Sequence, residues 1–358
     1  MEDNHVDSIH NFLLRFPLAE KDEYEWELYY KGSPESIKTV FNGTHKTDKA
    51  KEIYVKQIRL YDISTNKLKK ILKEIYFTFS LQGKKYFPKK VKIMLSYDQK
   101  YIFIIFEDKN ITLKALIKNE KFDYKSGNNK NLIKYIIYQI AFGLYFLHSN
   151  NIIHGDIKPS NILINGEGKV SLIGFDATIF NNEDSTKFSL PYTSPEFLIK
   201  YSETNILNSD NIKIDEKIDI WGLGVIMLEL YCKKTQIFAG ENIRNKYEQL
   251  KHLFSNLGVN ESFNISEYEN KNIIFKIDKE ILDIINDKDA IDLLNNLITF
   301  YPNKRYTAKE VLKSEYLKGF ELDSFDIRPI EYPFDYQEIS NKTINHKKFV
   351  ELVKRLKK

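Results

Sequence analysis

The order of sequence periodicities predicts an α+β protein of two lobes, a strand-rich one followed by a helical one. Two observations carry this. The stretches YEWELYY, IKTVF and EIYVKQI, within residues 24–60, are β-branched and aromatic runs broken by Gly, Ser, Pro and Asn, as strands are. From about residue 111 onward the apolar residues recur at helical spacing instead. Between these parts, TNKLKKILKEIYFTFSL (65–81) places Leu68, Ile71, Leu72 and Ile75 on one helical face, and VKIMLS and YIFIIFE read as two more strands. NLIKYIIYQIAFGLYFLHS (131–149) is long and largely apolar, the signature of a core helix. A short strand-rich patch at 152–174 follows. Helices are then predicted near 217–231, 241–257, 288–300 and 307–313.

With 358 residues, 42% of them apolar and 14% aromatic, the chain has a globular composition and ample material for a buried core. A formal charge of +4 is small for this length and argues against a protein whose main work is gripping nucleic acid. The single cysteine, Cys232, excludes an internal disulfide and a cysteine-based zinc site, and fits a reducing compartment. No secretory signal is evident, since FLLRFPLA is short and broken by Arg15 and Pro17. The run IDIWGLGVIMLELYC falls short of the roughly 20 residues that span a bilayer and reads as a buried helix. The expected location is intracellular, cytoplasmic or nuclear, with no transmembrane segment.

The most specific stretch is NIIHGDIKPSNILI (151–164). It resembles the catalytic loop of eukaryotic-type protein kinases, His-Arg-Asp-x-Lys-x-x-x-Asn, with His154, Asp156, Lys158 and Asn161 in type and spacing. The bland alternative, an ordinary turn between strands, would need a chance match at four positions. The resemblance extends over almost the whole chain. IYVK is similar to the Val-Ala-Ile-Lys strand, which makes Lys56 the phosphate-anchoring lysine and Glu74 its partner. A lone lysine on a strand is otherwise a solvated side chain. SPE (194–196), DIWGLG (219–224) and Arg305 resemble structural landmarks of the helical lobe. There Glu196 and Arg305 form a buried ion pair, and Asp219 caps backbone amides of the catalytic loop.

The resemblance implies a bilobal kinase fold: an N-terminal extension (1–23), an N-lobe with hinge (24–109), a C-lobe (110–320) and a C-terminal extension (321–358). Its finer features are similar to the CMGC group and its MAP kinases, with residues 238–276 falling at that group's insert. It implies Asp156, Lys158 and Asn161 as catalytic residues. In kinases the aspartate handles the proton of the attacking hydroxyl, the lysine neutralises the moving phosphoryl group, and the asparagine holds metal. It implies ATP and magnesium as cofactors. Lys56, Glu74, Val40, Tyr54, Phe106 (the gatekeeper), Glu107, Lys109 and Leu163 are the expected nucleotide-site residues. Asn161 and Asp176 are the metal candidates.

Four departures run against catalysis. Thirteen residues past Asn161, where kinases place the metal-binding aspartate of Asp-Phe-Gly, stand Gly174-Phe175-Asp176. Asp176 lies two residues on, about 6–7 Å in an extended chain. Magnesium sits about 2.0–2.1 Å from its oxygens, so Asp176 substitutes only if the loop bends back. In KGSPESIKTVF, Ser33, Glu35 and Lys38 fall where the phosphate-covering glycines belong. Tyr54 replaces an alanine that in kinases lies against the adenine ring; its ring either fills that slot or rotates out. Gly155 replaces the arginine that reads a phosphorylated activation loop, and Thr193 replaces a CMGC arginine. Ser185, Thr186 and Ser189 are phosphosite candidates or simply solvated hydroxyls.

The expected function is therefore that of a pseudokinase, a kinase fold acting as a binding or allosteric module for a protein partner such as an active kinase or its substrate. The alternative is a divergent, weakly active ATP-dependent serine/threonine kinase. HKKFVELVKRLKK carries Phe349, Leu352, Val353 and Leu356 on one helical face, suited to packing on its own domain or to acidic surfaces and membranes. Glu321, Asp323 and Asp326 form either a docking patch for basic peptides or a solvated acidic turn. The oligomeric state is not legible.

Overall fold

The computed structural model describes residues 24–27, 38–45, 52–96, 98–107, 110–120, 127–180, 189–201, 212–240, 243, 245–256, 279–320 and 349–350. The expected phosphate-loop positions Ser33 and Glu35, the expected nucleotide-site residue Lys109, the phosphosite candidates Ser185 and Thr186, and the acidic positions 321, 323 and 326 lie outside these residues. So does most of the terminal stretch 346–358. The chain divides into two compact units: residues 1–84, 88–110 and 331–358 form the first, and 85–87 with 111–330 the second. The first is built on a five-stranded β-sheet and the second is mostly helical, the α+β order the sequence predicts.

In the first unit, β1 (Tyr24–Glu27), β2 (Lys38–His45), β3 (Glu52–Arg59), β4 (Val91–Leu95) and β5 (Tyr101–Phe106) form a sheet in the order β1-β2-β3-β5-β4. Every neighbouring pair is antiparallel. Strand side chains alternate between faces, so directly opposed residues share one. Ile53, Val55, Tyr101, Phe103 and Ile105 form a buried cluster on one face, with Tyr61 and Met94 packed against it. The other face carries Tyr54, Lys56 and Ile58 of β3 and Ile102, Ile104 and Phe106 of β5. Helix α1 (Thr65–Ser80) buries Leu68, Ile71, Leu72 and Ile75, the stripe read from the sequence, and also Glu74. Phe349 and Val350 are helical, buried, and part of this unit.

In the second unit, β6 (Asn110–Thr112), β7 (Ile162–Asn165) and β8 (Val170–Leu172) make a small sheet. The helices are α2 (Leu113–Ile117), α3 (Gly127–Ser149), α4 (Pro195–Lys200), α5 (Lys217–Cys232), α6 (Lys246–Asn256), α7 (Lys279–Ile285), α8 (Lys288–Leu297) and α9 (Ala308–Leu312). Helix α5 is buried on all sides from Ile218 to Tyr231, as its apolar run from Ile220 to Leu228 requires. Helix α3 meets β8 closely at Gly143, where a Cβ would fall 2.1 Å from Leu172 Cδ1. Among the described residues no helix is long and apolar enough to cross a membrane.

Several boundaries differ from expectation. Strand β6 and the short helices α2, α4 and α7 were not predicted, because three to seven residues carry little periodicity. Helix α3 begins at Gly127 and not at residue 131. Helix α8 stops at Leu297 and does not reach residue 300, since the backbone leaves the helical conformation at Ile298, whose ψ is 73°.

Candidate active site

Within the first unit, Val40 stands opposite Lys56 in the β2–β3 register, and Tyr54 stands opposite Phe106 across β3–β5. Lys56, Tyr54, Val40 and Phe106 therefore share one sheet face. Lys56 Nζ forms an ion pair with the Glu74 carboxylate, whose side chain is 2% exposed. This is the pairing the motif spacing implied. Glu107 donates its backbone N–H to the Lys90 carbonyl at 3.2 Å, and its carboxylate stands 3.8 Å from Lys92 Nζ.

Within the second unit the loop 154–161 is held from below by one carboxylate. Asp219 Oδ2 accepts the His154 N–H at 2.8 Å, and Oδ1 accepts that of Gly155 at 2.8 Å. His148 Nε2 donates to Oδ2 at 2.9 Å. Gly155 has φ +77°, and a Cβ there would lie 2.5 Å from the Ala177 carbonyl oxygen. His154 is fully buried, its ring 5.0 Å from that of Phe175, and burial pushes its pKa down.

These contacts present Asp156, Lys158 and Asn161 to one another. Lys158 Nζ lies 2.6 Å from Asp156 Oδ2 and donates to Ser189 Oγ, also at 2.6 Å. Asn161 Nδ2 donates to the Asp156 carbonyl at 2.7 Å and to its Oδ2 at 3.1 Å. Leu163, in β7, is fully buried. The sequence marked Ser189 as a phosphosite candidate or a solvated hydroxyl; here it ties the 190–192 turn to Lys158, and its carbonyl accepts from Thr193 Oγ1.

Gly174 decides what this arrangement can hold. It adopts φ +88°, a left-handed backbone that suits glycine. A Cβ there would fall 2.5 Å from Asn161 Oδ1, so the asparagine amide stands where an acidic side chain would leave the backbone. Asp176 lies in the 3₁₀ turn Phe175–Ala177, is 5% exposed, and its charge acts on His154. Among the described residues no group of three or more His, Cys, Asp or Glu side chains gathers as a metal site. At residue 174 the loop offers a hard cation no carboxylate, and the Asn161 amide covers the place from which one would extend, so the ligand that magnesium favours is missing there.

Sequence reasoning missed Glu229. It sits fully buried in α5, accepting the backbone N–H groups of Gln236 and Ile237 on Oε1 and the Tyr192 hydroxyl on Oε2 at 3.3 Å. An acid at the end of the apolar run of α5, the second in that helix after Asp219, was the available signal. Burial pushes its pKa up from 4.5 to about 7, against the pull of those donors and of Lys114. A raised carboxyl pKa favours the folded protein while the group is protonated. Stability should therefore fall as pH rises from about 4.5 through about 7 and level off above, by roughly 3 kcal/mol in all. Glu229→Gln should remove that slope and be the more stable protein at pH 8. Urea midpoints at pH 5 and pH 8 test this, and equal slopes in both proteins would refute it.

Comparison with known proteins agrees with this geometry. Residues 36–317 match the protein kinase domain family. The CTD kinase subunit alpha of Saccharomyces cerevisiae is 28% identical over 64% of the chain and 43% of its own length. Mitogen-activated protein kinase 9 of Oryza sativa subsp. japonica is 27% identical over 72% of the chain and 37% of its own. Mitogen-activated protein kinase pmk-1 of Caenorhabditis elegans is 30% identical over 54% and 50%. The chain thus spans half or less of the length of these relatives.

Proposed function

The chain belongs to the protein kinase family, with CMGC-like relatives, and from that premise we propose that it is a pseudokinase, a kinase fold that binds a protein partner and does not transfer phosphate. The observation that carries this is Gly174, left-handed and covered by Asn161 where the family's metal-binding carboxylate belongs. Phosphoryl transfer works by positioning and charge neutralisation, and the ion that neutralises the phosphates loses its ligand here. Asp156, Lys158 and Asn161 keep their mutual hydrogen bonds in this reading as parts of the loop's architecture. The partner class is a protein, an active kinase or its substrate.

The second reading, a serine/threonine kinase of low turnover using ATP and magnesium, is favoured by the Lys56–Glu74 pair. It requires Asp176 to leave its turn and join Asn161 on the metal. Transfer of radiolabelled phosphate from ATP to protein, by wild type and Asp156→Asn, separates the two. The pseudokinase reading expects both at background. Transfer by the wild type that Asp156→Asn abolishes would overturn it.

A further inference from the structure

We propose that Tyr54 is a built-in plug of the nucleotide-base position, so that the N-lobe excludes ATP by its own side chain and not only by weak phosphate contacts. The inference rests on the pseudokinase reading and deepens it. The strand position is the one that a kinase fills with alanine against the adenine ring. Here it carries the largest side chain on this face of β3, in the same row as Lys56.

The sequence left two courses open for that ring, filling the slot or turning out to solvent. It has not turned out: Tyr54 is 6% exposed. Its ring centroid lies 5.8 Å from that of Phe106, the residue directly opposite it on β5, at an interplanar angle of 52°. Two tilted rings at this separation make a favourable aromatic pair. The phenol is also close enough to the Glu74 carboxylate to feel its charge, and burial followed by that charge pushes its pKa well up, so the hydroxyl stays neutral. The plug is thus held by its burial and by the packing of its ring against Phe106. An adenine ring needs a flat apolar slot beside the strand. With Tyr54 folded onto Phe106, the residues of this face do not fit one.

Thermal-shift titration of the full chain tests this, with adenosine as a phosphate-free probe and ATP in EDTA as a second. Adenosine isolates the base position from the lost glycines and the lost metal ligand. Tyr54→Leu keeps an apolar side chain in the strand and preserves packing, while Tyr54→Ala opens the slot further. The expected result is no shift for wild type with either probe at millimolar concentration. The Leu and Ala variants should show a saturable rise of a few degrees with adenosine and none with ribose, since only a ligand of the native state raises its melting temperature. A wild-type shift equal to that of the variants would overturn the proposal, as would a folded Tyr54→Leu protein that ignores adenosine. Phosphate transfer is assayed in the same samples. Wild type that binds ATP but transfers nothing sinks the plug alone; wild type that transfers phosphate sinks the pseudokinase reading.

Discussion

Glu196→Ala is expected to destabilise the protein by about 3–5 kcal/mol, read as a lower urea midpoint with an unchanged slope. Arg305 is 2% exposed and reaches Glu196 through two parallel hydrogen bonds of 2.7 Å. It also donates to the carbonyls of Thr299, Lys217 and Phe300, and its guanidinium lies 5.0 Å from the Trp221 ring centre. Removing the carboxylate leaves a buried cation whose remaining partners are dipoles. Removing Arg305 instead strands a buried anion and three carbonyls, so Arg305→Met should be at least as harmful. The double variant should be less destabilised than the sum, because the two losses share one interaction. A Glu196→Ala protein within about 1 kcal/mol of wild type would show that water or rearrangement compensates the charge.

That pair is legible in the sequence because kinase landmarks are read by spacing, and spacing survives divergence. The same holds for Lys56 with Glu74 and for Asp219 beneath residues 154 and 155. What spacing cannot supply is the rotamer. Alternation along β3 places Tyr54 on the face of Lys56, but whether its ring lies against Phe106 depends on volume left by several strands at once. Gly174 shows the same divide. The sequence identifies a missing carboxylate, yet only the fold shows that Asn161 has its amide over the gap. Glu229 escaped because the apolar period of α5 identifies a core helix, and a core helix has no reason from periodicity alone to carry an acid. The short elements β6, α2, α4 and α7 escaped for want of length.

Asp219→Ala is expected to cost about 3–5 kcal/mol, since the two hydrogen bonds it gives up to backbone N–H groups are charge-assisted and worth about 1.5–3 kcal/mol each. The carboxylate is 1% exposed, so water does not replace it readily. The His154 N–H would be left buried and unpaired and that of Gly155 unpaired at a half-buried position, and Gly155 would hold φ +77° without the bond that fixes it. Asp219→Asn keeps one acceptor but turns an amide N–H₂ toward the other donor, so it should recover no more than about half of the loss. Hydrogen exchange at the amides of 154 and 155 is the local readout, and it should accelerate in the alanine variant beyond what global unfolding accounts for. Unchanged protection there would mean that Asp219 is not the loop's anchor. The point bears on function. If Asp219 is the anchor, the fold needs the loop around Asp156 to be ordered whether or not phosphate is transferred. The hydrogen bonds of Asp156 and Asn161 belong to that order, so their retention is explained by folding and does not by itself argue for turnover.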